Sequence, residues 1–247
     1  MITTAEQAKR HKAQGKTLRT MHGNPEALRG IFVAFLLCFC ASAHGSSASA
    51  QDVPPKDPNA TRQADLVELV KLDPTIKLDI RYAGTNNFVG KPVYKEARAF
   101  LQRPAAEALV AAHRELAVHG YGLLIHDGYR PWAVTKLFWE VTPPALREFV
   151  ADPATGSKHN RGAAIDLSMY DRALGTAVDM PSAYDEFSHR AYPDYRGGAP
   201  DARGRRDLLR TVMERHGFTV EPNEWWHFNY KDWKEYPILD IPFDAIR

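Results

Sequence analysis

The chain has 247 residues, 44% of them hydrophobic and 25% charged, which is enough apolar material for one domain with a sizeable core. Its formal charge is +2, but the first fifty residues hold six of the 32 Lys and Arg and two of the 30 Asp and Glu. The remainder therefore has 26 basic against 28 acidic residues and a net charge of −2, a balance with no basic footprint, so no nucleic-acid partner is expected.

Residues 31–43, IFVAFLLCFCASA, form an apolar run of signal-peptide length, too short to span a membrane. Arg29 precedes it, and Ala48-Ser49-Ala50 reads as a cleavage site before Gln51. The stretch ahead of the run is long for a signal peptide, and a start at Met21 would leave a normal one. Residues 1–50 thus predict a signal peptide and an exported, periplasmic product with no stable membrane insertion after cleavage. An uncleaved anchor or a buried helix is the competing reading. Both cysteines, Cys38 and Cys40, lie in this run, so the mature chain has neither a disulfide nor a thiolate ligand. Phe39 just before Cys40 does not suit a lipoprotein.

Next, residues 51–65 are polar and proline-rich and read as a flexible lead-in. Alternation around Ile76–Ile80 predicts a strand, and TNNFVGKPVY a loop. Residues 103–120 have helical spacing and end at Gly120. Residues 121–131 read as a buried strand running into a turn. Two helical stretches, 132–141 and 144–150, are broken at Pro143-Pro144. A strand is expected over 162–170, a long loop over 171–202, a helix over 205–218 closed by Gly217, and an aromatic strand over 225–230. The order predicts an α+β fold: a small central antiparallel sheet flanked by helices, in a single domain over 66–247.

Two segments carry the chemistry. SKHNRGAAIDL places His159 in a loop, Gly162 at a turn, and Asp166 on the strand that follows, on the face opposite Ile165 and Leu167. EWWHF places Trp225, His227 and Asn229 on one strand face. Glu224 reaches that side only from the turn after Pro222-Asn223. A catalytic zinc takes three ligands from His, Asp or Glu and keeps one position open, and a carboxylate beside that position can accept a proton. A metal site is one reading; an ordinary turn followed by an ordinary strand is the other. His113, His119, His126, His189 and His216 show no partner pattern and read as structural or exposed.

These two segments resemble the paired zinc motifs of the D-alanyl-D-alanine dipeptidases of the VanX type, within a wider group of zinc D,D-peptidases. DIRYAGTNNFVGKPVY, HDGYRP and DMPSAYDEF extend the resemblance from Leu66 to the C-terminus. It implies one Zn²⁺ per chain held by His159, Asp166 and His227, with Glu224 as general base and Arg130 stabilising the transition state. It further implies Ser157 and Asp185 at the substrate termini, Asp185 facing the ammonium, and D-Ala-D-Ala as the substrate. The segment MPSAYD departs from the expected Met-Gly-Thr leading to Phe-Asp, which puts the shape of the substrate pocket in doubt but not the metal site. Two other functions compete: a D,D-carboxypeptidase or endopeptidase trimming peptidoglycan stems, and a zinc- or wall-binding module without catalysis. The presence of Glu224 and Arg130 weighs against the second.

Overall fold

The computed structural model describes residues 53–247; the signal-peptide reading falls outside that range. Where it is described, the lead-in is joined to the domain by side-chain pairs. Asp57 accepts a hydrogen bond from Arg161, Arg62 pairs with Asp232 and Glu235, and Asp65 pairs with Arg103. These partners are distant in sequence, so local composition could not reveal them.

The chain then forms β1 (Leu66–Glu68), a single turn α1 (Leu69–Leu72) and β2 (Lys77–Leu78). After a loop come β3 (Phe100–Gln102), α2 (Arg103–Val118), β4 (Tyr121–Asp127) and α3 (Trp132–Val141). The remaining elements are β5 (Ala164–Asp171), α4 (Pro200–Arg215), β6 (Phe218–Glu221) and β7 (Glu224–Tyr230). Helix α2 has Pro104 in its first turn, where a missing N–H costs nothing. It buries Ala105, Leu109, Ala112 and Leu116 along one stripe. Strand β6 was not foreseen. Helix α4 stops at Arg215, Gly217 takes φ +83°, and Phe218 already belongs to the sheet.

The main sheet has five strands in the order β2-β4-β5-β7-β6. Its pairs are antiparallel, as expected, apart from the short edge strand β2, which lies parallel to β4. Strands β1 and β3 form a separate antiparallel ribbon. Ile165, Leu167 and Phe228 of the central strands join Leu109 and Leu116 of α2 and Leu209, Val212 and Met213 of α4 in one core. By alternation, Asp166, Ser168, His227 and Asn229 take the other face. A one-residue slip of β5 would drive Asp166 into that core and lift out Ile165 and Leu167. Each of these is fully buried, and such a side chain contributes about 1.5–3 kcal/mol, so the register is firmly set.

The turn into β5 depends on Gly162, at φ +63° and ψ 25°, which closes the short 3-10 turn His159–Arg161. A Cβ there would lie 2.4 Å from Leu66 Cδ2. Gly162→Ala should therefore cost about 1–3 kcal/mol, the scale of a non-glycine residue held in the left-handed region. Urea unfolding checks this, and an unchanged midpoint would contradict it.

Candidate metal centre

Strand β5 pairs with β7 so that Asp166 lies directly opposite His227. The 3-10 turn before β5 brings in His159. Three donor atoms then form a nearly equilateral triangle. His159 Nε2 is 3.3 Å from Asp166 Oδ1 and 3.3 Å from His227 Nδ1, and His227 Nδ1 is 3.2 Å from Asp166 Oδ1. Asp166 Oδ1 is buried and has no hydrogen-bond partner among the described residues. A buried carboxylate oxygen without a partner is costly, and a cation between the three donors removes the cost. Among the described residues this is the one cluster of three such donors close enough to share an ion.

The outer partners orient both imidazoles. His159 Nδ1 lies 2.7 Å from the Gly128 carbonyl. A carbonyl can only accept, so Nδ1 carries the proton and Nε2 offers its lone pair. Asn229 Nδ2 donates to Glu221 Oε2, which in turn accepts from Lys158. That bond fixes the amide, so Asn229 Oδ1 faces His227 Nε2 at 2.8 Å and accepts its proton. His227 Nδ1 is thereby turned to the triangle. Burial opposes a charge on His227, but the neighbouring Asp166 and Glu224 carboxylates override it and raise the metal-free imidazole to about 10. Burial likewise opposes the Asp166 charge, and His159 and His227 outweigh it, holding the carboxyl well below its usual range.

Glu224 is the first residue of β7 and pairs with Glu221 across the turn Pro222-Asn223, where the ladder is irregular. Its Oε2 is 3.3 Å from His227 Nδ1, beside the triangle but not part of it. Arg130 is 8% exposed and firmly held. Its Nε donates to Asp127 Oδ2 at 2.9 Å, and its Nη2 lies 2.8 Å from the same oxygen and 3.7 Å from Asp166 Oδ2. Its guanidinium rests near the rings of Phe138 and Tyr82. Asp127 is held in turn by the Tyr94 hydroxyl and the Gly128 N–H.

Ser157 Oγ accepts from the His159 N–H at 3.2 Å, so it orders that loop and keeps its own hydrogen to donate. Asp185 is a non-glycine residue at φ +58°, and its Oδ2 accepts from Tyr82 at 2.9 Å. Burial, with the nearby Asp166 charge, raises its carboxyl well above the usual range. Arg130, Ser157, His159, Asp166, Asp185, Glu224 and His227 all line a single cavity of about 470 Å³.

Residues 62–243 match the peptidase M15 family, D-ala-D-ala dipeptidase. The chain belongs to this family. A D-alanyl-D-alanine dipeptidase of Escherichia coli (strain K12) is 34% identical over 182 residues, which cover 74% of this chain and 93% of that protein. Proteins of the same name from Enterococcus faecium and Enterococcus faecalis are 34% and 35% identical over 187 residues. Those matches cover 68% of this chain and 92% and 88% of the two proteins.

Within this member of the dipeptidase family, sequence reasoning missed the supporting residues. Asp127 and Tyr94 hold Arg130, and Asn229, Glu221 and Lys158 form the chain behind His227. Gln102, fully buried, donates from its side chain to the Arg161 carbonyl and from its backbone to the Gly162 carbonyl, bracing the His159 turn. Asn87 ties the TNNFVG loop with five hydrogen bonds and so presents Phe88 to the cavity. Only Asn229 left a local signal, since it shares a strand face with His227. The departure at MPSAYD falls on Tyr184, whose hydroxyl donates to Asp166 Oδ2 at 3.0 Å.

Because the metal-free His227 holds a proton on the nitrogen that would face an ion, divalent metal uptake near pH 7 should release about one proton per ion. Calorimetry in buffers of different ionisation enthalpy measures this. A buffer-independent heat would show His227 already neutral. His159→Ala with His227→Ala should abolish the one-ion stoichiometry.

Proposed function

We propose that the three donors hold one Zn²⁺ and that the protein hydrolyses D-alanyl-D-alanine to two D-alanines. Zinc bonded to nitrogen and oxygen at about 2.0–2.1 Å in a tetrahedron needs donors about 3.3–3.4 Å apart, and the triangle's 3.2–3.3 Å edges fit. The carrying observation is that this triangle, with its unpartnered Asp166 Oδ1, opens on the same cavity as Asp185. Among the described residues, the Asp185 carboxylate is hydrogen-bonded only by Tyr82. A half-buried acid with no ion pair to a basic side chain suits a substrate ammonium, whose charge-assisted hydrogen bond would return it to the ionised form. A longer stem peptide has an amide there in place of the ammonium, which favours the dipeptide over the carboxypeptidase reading.

Bound at the triangle, zinc supplies a Lewis acid that lowers the pKa of water and polarises a carbonyl. Glu224, beside the triangle, takes the proton from the attacking water and returns it to the leaving amine. Arg130 cannot turn away, because Asp127 holds two of its nitrogens. Its guanidinium lines the cavity, placed to meet negative charge developing on the scissile oxygen. Ser157 donates its free hydrogen to the substrate carboxylate. The rings of Tyr82, Phe88, Phe138 and Phe187 pack edge to face or tilted beside Asp185 and keep water from the ammonium end.

Free D-alanine should appear from D-Ala-D-Ala and stop on chelation, while the N-acetylated dipeptide should be a far poorer substrate. Comparable kcat/KM on the two would favour the carboxypeptidase reading. Glu224→Gln should keep zinc and lose turnover; loss of zinc would make Glu224 a ligand. Arg130→Ala should cost roughly a hundredfold or more in kcat, with only partial recovery in Arg130→Lys.

Export is also part of the proposal, supported by the apolar run 31–43 and the small residues before Gln51. N-terminal sequencing of the secreted protein should begin near Gln51. A product still carrying residues 31–43 would refute it.

A further inference from the structure

We infer that Tyr184 is a positioning residue for the metal, its hydroxyl holding Asp166 to ligation through one oxygen and so setting how tightly the site keeps its ion. This rests on the zinc reading above.

The two oxygens of Asp166 have different surroundings. Oδ1 faces both histidine donors and has no hydrogen-bond partner. Oδ2 points away from that gap and receives the Tyr184 hydroxyl at 3.0 Å. Arg130 Nη2, at 3.7 Å from the same oxygen, is beyond hydrogen-bond distance. Among the described residues, Tyr184 therefore makes the one short bond to Oδ2. A carboxylate whose second oxygen is free can rotate to give both oxygens to an ion. A hydrogen bond on that oxygen opposes the rotation.

The phenol has little freedom to leave. Its ring stacks on His126 with centroids 4.6 Å apart and planes 24° from parallel, and it meets Trp226 edge-on at 5.6 Å. His126 is itself fixed, with Nε2 2.9 Å from Ser168 Oγ. The left-handed backbone at Asp185 separates the two neighbours: Tyr184 reaches the ligand and Asp185 accepts from Tyr82. Tyr184 also completes a pattern. His159 has the Gly128 carbonyl as outer partner, His227 has Asn229, and Asp166 has Tyr184. Removing such a partner typically weakens metal binding about 10–100-fold.

Tyr184→Phe keeps the ring and its stack and removes only the oxygen. By chelator competition its zinc affinity should fall about tenfold or more, and zinc loss to the chelator should quicken. In the cobalt(II)-substituted protein, the visible absorption should weaken as Asp166 becomes a two-oxygen ligand and coordination rises. Affinity and cobalt spectrum equal to those of a zinc-binding wild type would overturn this inference alone. Loss in Tyr184→Leu but not in Tyr184→Phe would reduce Tyr184 to packing and also overturn it. A wild-type chain that holds no zinc would overturn both this inference and the reading it rests on.

Discussion

A carboxylate buried between two imidazoles is the constraint on which the rest of this structure turns. Asp166 is 3% exposed, and taking an ionised group that far from water costs several kcal/mol unless it is paired. The cost is compounded by Asp127, which lies directly opposite Asp166 on β4. Arg130 sits between the two acids but bonds fully to Asp127 alone. The neighbouring carboxylates favour a proton on His227, and a divalent ion held at the triangle would displace it, so folding and metal binding would draw on the same electrostatic balance.

This constraint explains the details around it. Two of the three donors come from adjacent strands because a single register, Asp166 opposite His227, brings their side chains to one face. The third cannot come from a strand, and the Gly162 turn supplies it. The loop carrying His159 is joined to the turn carrying Arg130. The Arg130 N–H donates to the His159 carbonyl, and Asn160 donates to the Arg130 carbonyl. Ligand and guanidinium are thus placed by one shared piece of backbone rather than by separate loops.

Much of this was legible in the sequence where the signal is local. Alternation in GAAIDLSMY put Asp166 opposite Ile165 and Leu167. The face shared by His227 and Asn229 was visible in WWHFNY, although what Asn229 does there was not. Glu224 needed a break in strand geometry, and the irregular ladder at Glu221 provides one. The illegible part is non-local. Asp127 and Tyr94 meet across 33 residues, and Gln102 and Arg161 across 59. Strand β2, two residues long and parallel to β4, has too little pattern to show its direction. Strand β6 was hidden because Gly217 ends a helix and starts a strand within one turn.

The division of labour between strands and loops bears on how such a site can vary. Asp166, His227 and Glu224 sit on β5 and β7, whose register cannot slip without exposing core aliphatics. Arg130, Ser157, Asp185 and the rings of Tyr82, Phe88 and Phe187 sit on connections, where backbone changes leave that register intact, while Phe138 comes from α3. The departure at MPSAYD lies in the long connection between β5 and α4, which is where change is tolerated. It reaches the rigid part at two residues: the Tyr184 hydroxyl touches Asp166 and its ring meets Trp226, and Ser182 Oγ accepts from Trp225. On the proposed reading, substitutions in the same connection that act on Asp185 alone would alter which substrates fit, while those that move Tyr184 would act on the metal ligand. Substrate length and the hold on the ion would then be governed by neighbouring residues with separable effects.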